Sequence, residues 1–259
     1  MDRTTELLVA LHQGLRRLGP GSAACTLKAL ALCADLPPAP GILDVGCGTG
    51  AQSLVLASAT GGCIVATDLI GAFLGQLPER AAAMGLEGRI QTVAADMHCL
   101  PFRDGSFDLI WSEGAAYIMG FDKALTTWRA LARPGGYLVV SELSWFRPDP
   151  PAEISDFWER HYPSIRGVDE NLAAAQNAGW TGVGNFPLPA EAWDRYHAPL
   201  KHRLAAFRRS YVHDPAAQAV ADMTEREISL MARYADFCGY ELFVLRRGAQ
   251  NPREGSATC

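Results

Sequence analysis

Nearly continuous apolar runs at 42–46, 63–67, 90–95, 107–111 and 137–143 are separated, for the most part, by segments of helical spacing at 51–59, 71–84 and 121–132. Runs that are apolar at successive rather than alternate positions suit strands covered on both faces, as in a parallel sheet. Strands alternating with helices in this way predict an α/β fold with a doubly wound, Rossmann-like, mostly parallel sheet. Two helices are predicted ahead of it, at 4–18 and 22–34, parted by Gly19-Pro20-Gly21 and with Ser22 as the second N-cap. Pro37-Pro38-Ala39-Pro40-Gly41 then stops the helix and feeds the first strand.

Beyond Trp145 the pattern changes. Pro148, Pro150 and Pro151 interrupt the chain, followed by an aromatic-rich helix with Phe157, Trp158 and Tyr162 and a second helix at 168–178. Trp180 to Leu188 reads as a sixth strand, 190–210 and 215–236 as helices, and 240–245 as a seventh strand pairing antiparallel at the sheet edge. The expected division is an N-terminal helical cap over 1–40, a main domain over 41–247 and a disordered tail over 248–259. Helical insertions at about 147–178 and 190–210 form a lid in this reading.

The 259 residues suffice for one such domain with elaborations, and 49% hydrophobic content supplies its core. A net charge of −5 argues against broad nucleic-acid binding, which needs a positive footprint. The cluster Lys201, Arg203, Arg208 and Arg209 reads as a solvated helix face. Seven cysteines are scattered without a Cys-x-x-Cys pair or zinc spacing, which predicts reduced thiols in a cytoplasmic setting and no metal. His12, Arg16 and Arg17 interrupt the apolar N-terminal stretch, so it reads as an amphipathic helix rather than a leader or membrane span.

The chemistry concentrates at Asp44-Val45-Gly46-Cys47-Gly48-Thr49-Gly50, followed eighteen residues on by Asp68 at the end of the next apolar run. Glycines here let backbone approach a ligand at a helix N-terminus. The spacing is G-x-G-x-G rather than the G-x-G-x-x-G of dinucleotide sites, and an acid lies inside the strand. A carboxylate so close disfavours a pyrophosphate and favours a cationic, amino-acid-bearing ligand.

This stretch resembles the first motif of the class I S-adenosylmethionine-dependent methyltransferases. Thr67-Asp68-Leu69, Ala95-Asp96-Met97, Leu100-Pro101-Phe102 with Phe107-Asp108, and Arg133-Pro134-Gly135-Gly136 extend the likeness over about residues 41–143. It is nearest the small-molecule branch containing the ubiquinone/menaquinone-biosynthesis methyltransferases. The resemblance implies S-adenosylmethionine as cofactor, with S-adenosylhomocysteine as product. Gly46, Cys47, Gly48 and Gly50 would meet the methionine carboxylate and Asp44 the amino-group side. Asp68 would take the ribose hydroxyls with Leu69 against the adenine, and Asp96 the adenine amino group with Met97 over the ring.

Glu113, beyond the fourth strand, would face the transferable methyl as a base, or as an anchor that orients the nucleophile or stabilises a cationic amine, set against a helix-capping or salt-bridged surface acid. As a base, its change to Gln is expected to lower turnover and spare cofactor affinity. Tyr117 is a second catalytic candidate, whose hydroxyl binds substrate or whose ring walls the pocket. Glu142, Trp145, Tyr162, Trp193, Tyr196 and His197 are candidates for the substrate side, set against ordinary packing. The implied activity is methyl transfer to a small-molecule acceptor, with a non-catalytic cofactor-binding protein as the alternative and homodimerisation left open.

Overall fold

The computed structural model describes residues 2–248, so the tail expected over 248–259 lies outside the described residues apart from Gly248. Seven strands form one sheet: β1 (Gly41–Val45), β2 (Cys63–Asp68), β3 (Ile90–Ala94), β4 (Phe107–Ser112), β5 (Ala132–Trp145), β7 (Trp180–Pro187) and β8 (Cys238–Arg247). Their order is β3-β2-β1-β4-β5-β8-β7, with a two-residue strand β6 (Arg166–Gly167) pairing alongside β5. The pairings from β3 through β5 are parallel, whereas β8 runs antiparallel to both β5 and β7. The antiparallel strand therefore lies one place in from the edge, which β7 occupies.

Both faces of the sheet are covered, as the continuous apolar runs require. On one face Ile42, Trp111, Val139 and Val244 pack with α2 (Ala23–Ala31), α3 (Ala51–Ala59) and α5 (Leu77–Ala82). On the other, Leu43, Val45, Ile110 and Phe243 meet α6 (Phe121–Arg129) and α8 (Val168–Asn177). Trp128 and Trp180 are fully buried there, and each indole N–H finds a carbonyl: Met97 O at 3.3 Å and Leu125 O at 2.9 Å. Each such ring stabilises the fold by roughly 1.5–3 kcal/mol through burial, and the satisfied N–H avoids a desolvation penalty.

Three differences from the sequence reading have local causes. The first helix, α1 (Arg3–His12), stops short because Gly14 takes φ +85°. The helix expected over 71–84 breaks into α4 (Gly71–Leu74) and α5, since Pro78 is tolerated only in a first turn. The insertions also divide differently. While α8 covers the sheet, α7 (Ala152–His161) packs on the far ends of β5 and β8. The cap proper is α1 with α9 (Ala190–Ser210) and α10 (Pro215–Arg233), joined through Leu7, Leu11, Leu204, Phe207 and Ile228. Among the described residues, no helix is long and apolar enough to cross a membrane.

The order reverses around β1, whose neighbours are β2 and β4. Ligands of such sheets bind beyond the carboxyl ends of the strands at that reversal. The strand β5 outruns β4 there: Ser112 pairs with Val140, leaving residues 141–145 projecting past it.

Candidate active site at the strand ends

The loop after β1 makes a tight turn in which Gly46, Gly48 and Gly50 all have positive φ, at +67°, +55° and +74°. The Cys47 N–H donates to Thr67 O at 2.9 Å, and the Gly48 N–H to Asp68 Oδ2 at 2.9 Å. Asp68 also accepts from the Ile70 N–H through Oδ1 at 2.8 Å, so one carboxylate ties the glycine loop to the end of β2. Leu69 beside it is 63% exposed, an apolar surface next to a polar loop. The nine-residue α3 starts at the loop without a side-chain cap, presenting backbone N–H groups at its positive end. Together these residues suit a ligand carrying a carboxylate, a ribose and a flat apolar ring.

Packing as well as conformation demands glycine at 46. A Cβ there would lie 2.4 Å from the Ala115 Cβ. Gly46→Ala is expected to lose about 2–4 kcal/mol, from left-handed strain plus overpacking, in urea unfolding. A change below about 0.5 kcal/mol would refute the tight seat.

Asp44 departs from its expected role. It has no exposed surface, and its carboxylate is held by Gln52 Nε2 at 3.1 Å and Ser53 Oγ at 2.5 Å. It clamps α3 to β1 rather than presenting oxygens to a ligand, and burial pushes its carboxyl up to about 7. Cys47 is buried as well, and burial pushes its thiol well above the usual range. Asp96 is exposed, with Oδ1 accepting from the His98 N–H and facing His98 Nδ1 at 2.7 Å in a local turn. Met97 reaches the loop, its Cε 3.4 Å from where a Gly46 Cβ would stand.

Sequence reasoning missed the strap over this loop. Arg16 O accepts from Thr49 Oγ1 at 2.8 Å, and Leu18 Cδ1 sits 2.8 Å from where a Gly48 Cβ would stand. The Gly21 N–H donates to Ala192 O at 3.1 Å, tying the strap to α9. Arg17 Nη1 donates to Glu113 Oε2 at 2.8 Å, while Thr26 Oγ1 and Trp111 Nε1 donate to Glu113 Oε1 at 2.8 and 2.9 Å. Glu113 is thus a buried anchor for the strap, and acting as a base would break up that set of bonds. Of the readings the sequence left open for Glu113, this geometry matches the salt-bridged acid, paired in the interior rather than at the surface.

The predicted substrate residues divide. Trp145 packs with Leu143, Ile154 and Phe157 and belongs to the core between α7 and the sheet. Tyr117 and Tyr162 meet edge to face at 6.2 Å. Trp193 stacks on Tyr240 at 5.6 Å, and His197 lies between the rings of Trp193 and Tyr196. The Tyr162 hydroxyl donates to Glu142 Oε1 at 2.5 Å. Tyr117 is 46% exposed, its ring turned toward solvent beside Tyr162. Burial lowers His197 to about 4, so its imidazole is neutral.

Two residues escaped the sequence reading: Tyr240 on β8, stacked on Trp193, and Glu227 on α10, whose carboxyl burial pushes up to about 7. A signal for the second existed. Val220, Thr224 and Met231 mark the buried stripe of α10, and Glu227 stands at the stripe position between them.

Comparison with known proteins agrees with this geometry. A family model described as a methyltransferase domain matches residues 42–136. Demethylmenaquinone methyltransferase of Thermus thermophilus is 38% identical over 154 residues, 57% of this chain and 68% of that protein. The 2-methyl-6-phytyl-1,4-hydroquinone methyltransferase of Synechocystis is 34% identical over 54% of this chain and 46% of its own length. The chain spans less than half the length of several curated relatives it matches. A Geobacter sulfurreducens S-adenosylmethionine-dependent methyltransferase, solved with S-adenosylhomocysteine, superposes with a TM-score of 0.76 at 23% identity, covering 93% of this chain and 97% of that one. The fold, the loop and the matched relatives converge, and the chain belongs to the class I S-adenosylmethionine-dependent methyltransferases.

Proposed function

We propose that this chain transfers a methyl group from S-adenosylmethionine to a small-molecule acceptor held between the strand ends and the α1/α9/α10 cap. One observation carries the reading. Ala115 packs against Gly46 of the loop, and two residues later Tyr117 stands in the aromatic cleft. A single short turn, Ala116–Ile118, thus joins the two places, so ligands in both would meet at residues 115–117.

Bound S-adenosylmethionine supplies a sulfonium methyl that an aligned nucleophile displaces in line. The residues have to position the acceptor and keep water out. The strap closes over the loop and the three-helix cap over the cleft. In this reading Asp68 and the backbone of Gly46–Gly50 hold the cofactor, with Leu69 and Met97 against its ring. A cytoplasmic setting fits six free cysteines among the described residues, and a small acceptor fits a cleft walled by side chains rather than a basic surface.

The test is transfer of a labelled methyl from the donor to a panel of amines, phenols and quinols. Protein-dependent label in a small molecule, lost in Asp68→Ala, is the expected result. Donor binding with no label in any acceptor would favour the non-catalytic alternative.

A further inference from the structure

His12, the last residue of α1, and Tyr196 of α9 form a directed hydrogen-bond chain. His12 Nδ1 lies 2.8 Å from Leu8 O, and a carbonyl only accepts, so Nδ1 carries the ring proton. Burial lowers the His12 pKa, which leaves the imidazole neutral and Nε2 with its lone pair. Nε2 therefore accepts from the Tyr196 hydroxyl, 2.8 Å away. Arg203, two turns further along α9, donates to Ala10 O and Leu11 O at 3.2 and 3.3 Å and fixes the end of α1 against the helix that carries Tyr196. A carbonyl that orients an imidazole, which in turn draws on a hydroxyl, is an arrangement that activates a neutral O–H for proton transfer.

Contacts put this pair on the cofactor side of the cap. Tyr196 packs against the α1/α9/α10 core together with Leu18, whose Cδ1 sits 2.8 Å from where a Gly48 Cβ would stand. One turn earlier on α9, Ala192 O takes the Gly21 N–H of the strap, and Ala192 belongs to the same core as Trp111 near the end of β4. Beside it Trp193 stacks on Tyr240, which pairs with Leu143 near the carboxyl end of β5. Tyr196 thus stands, partly exposed, between the strap over the glycine loop and the ends of β4 and β5.

We infer that, within the methyltransferase reading on which this rests, Tyr196 is the catalytic proton acceptor, His12 draws on its hydroxyl, and the acceptor is methylated on a phenolic or enolic oxygen. The acceptor O–H donates to the second lone pair of the Tyr196 oxygen. As that proton passes to Tyr196, the Tyr196 proton passes to His12 Nε2, and the freed acceptor oxygen forms the O–C bond to the methyl. The C–S bond breaks with its electron pair left on sulfur, giving the methyl ether and neutral S-adenosylhomocysteine. His12 then returns its proton to solvent. A neutral O–H suits this pair because the oxyanion forms between two cations, the sulfonium and the new imidazolium. An ammonium acceptor would instead bring a second cation up to the sulfonium before any proton had moved.

Labelled-methyl transfer to phenol and to 4-nitrophenol, at a mildly alkaline pH where only the second is largely ionised, tests this. Wild type is expected to methylate both. Tyr196→Phe, which keeps the ring, should lose about 100-fold in kcat with phenol and less than about threefold with 4-nitrophenol, which needs no base. His12→Gln should match it, and the double variant should lose no more than either change alone, because the two residues act as a unit. S-adenosylhomocysteine affinity should be unchanged in all three. An equal loss on both phenols, as lost packing would give, or full turnover of phenol by Tyr196→Phe would overturn the assignment. So would transfer to amines alone, or to no acceptor, by wild type that binds S-adenosylhomocysteine. Failure of wild type to bind S-adenosylhomocysteine would instead overturn the methyltransferase reading beneath it.

Discussion

Glu113→Ala is expected to destabilise the protein by about 3–5 kcal/mol, the cost of breaking a buried ion pair from one side. The carboxylate side chain is 3% exposed and its partner Arg17 14% exposed, so the guanidinium left behind cannot rehydrate without moving the strap. Thr26 Oγ1 and Trp111 Nε1 lose their acceptor in the same change, and each buried donor left unmade adds its own desolvation. Glu113→Gln keeps an acceptor for those two and loses the charge, so a smaller loss is expected. The measurement is the urea midpoint at constant m-value. An alanine variant within about 0.5 kcal/mol of wild type would remove Glu113 as the anchor. The outcome also separates this role from that of a base, which would leave stability nearly untouched.

Asp68→Ala should weaken S-adenosylmethionine binding about 100-fold, or roughly 2.7 kcal/mol. The carboxylate holds the Gly48 and Ile70 N–H groups, each a hydrogen bond to a charged acceptor contributing about 1.5–3 kcal/mol. Losing it frees the loop and removes the group proposed to take the ribose hydroxyls. Asp68→Asn keeps one oxygen acceptor and should fall between the two. Equal affinity in wild type and Asp68→Ala would place the ribose elsewhere.

How far each feature can be read from sequence follows the distance between the residues that make it. The stretch from Asp44 to Asp68 is legible because the turn, the helix start and the acid lie within one strand-helix-strand unit. The alternation of strands and helices across 41–143 is equally local, and the parallel sheet follows from it. Glu113 is legible only as a set of alternatives, a salt-bridged acid among them: its partners Arg17 and Thr26 lie 96 and 87 residues away, so nothing near it chooses between them. Asp44 misleads for the opposite reason. Its position in the motif points to a ligand, yet Gln52 and Ser53 on the next helix turn take its oxygens. The aromatic rings near the strand ends come from Tyr117 in the short turn 116–118, Tyr162 after α7, Tyr240 on β8, and Trp193 and Tyr196 on α9. Most of these read as packing in isolation, and only the tertiary fold brings them to one space.

The most direct measurement is calorimetric titration of wild-type protein with S-adenosylmethionine, S-adenosylhomocysteine and, as a control, a nicotinamide dinucleotide. Saturable one-to-one binding of the first two and none of the third is expected. A folded protein that binds neither sulfur nucleoside, or that prefers the dinucleotide, would contradict it.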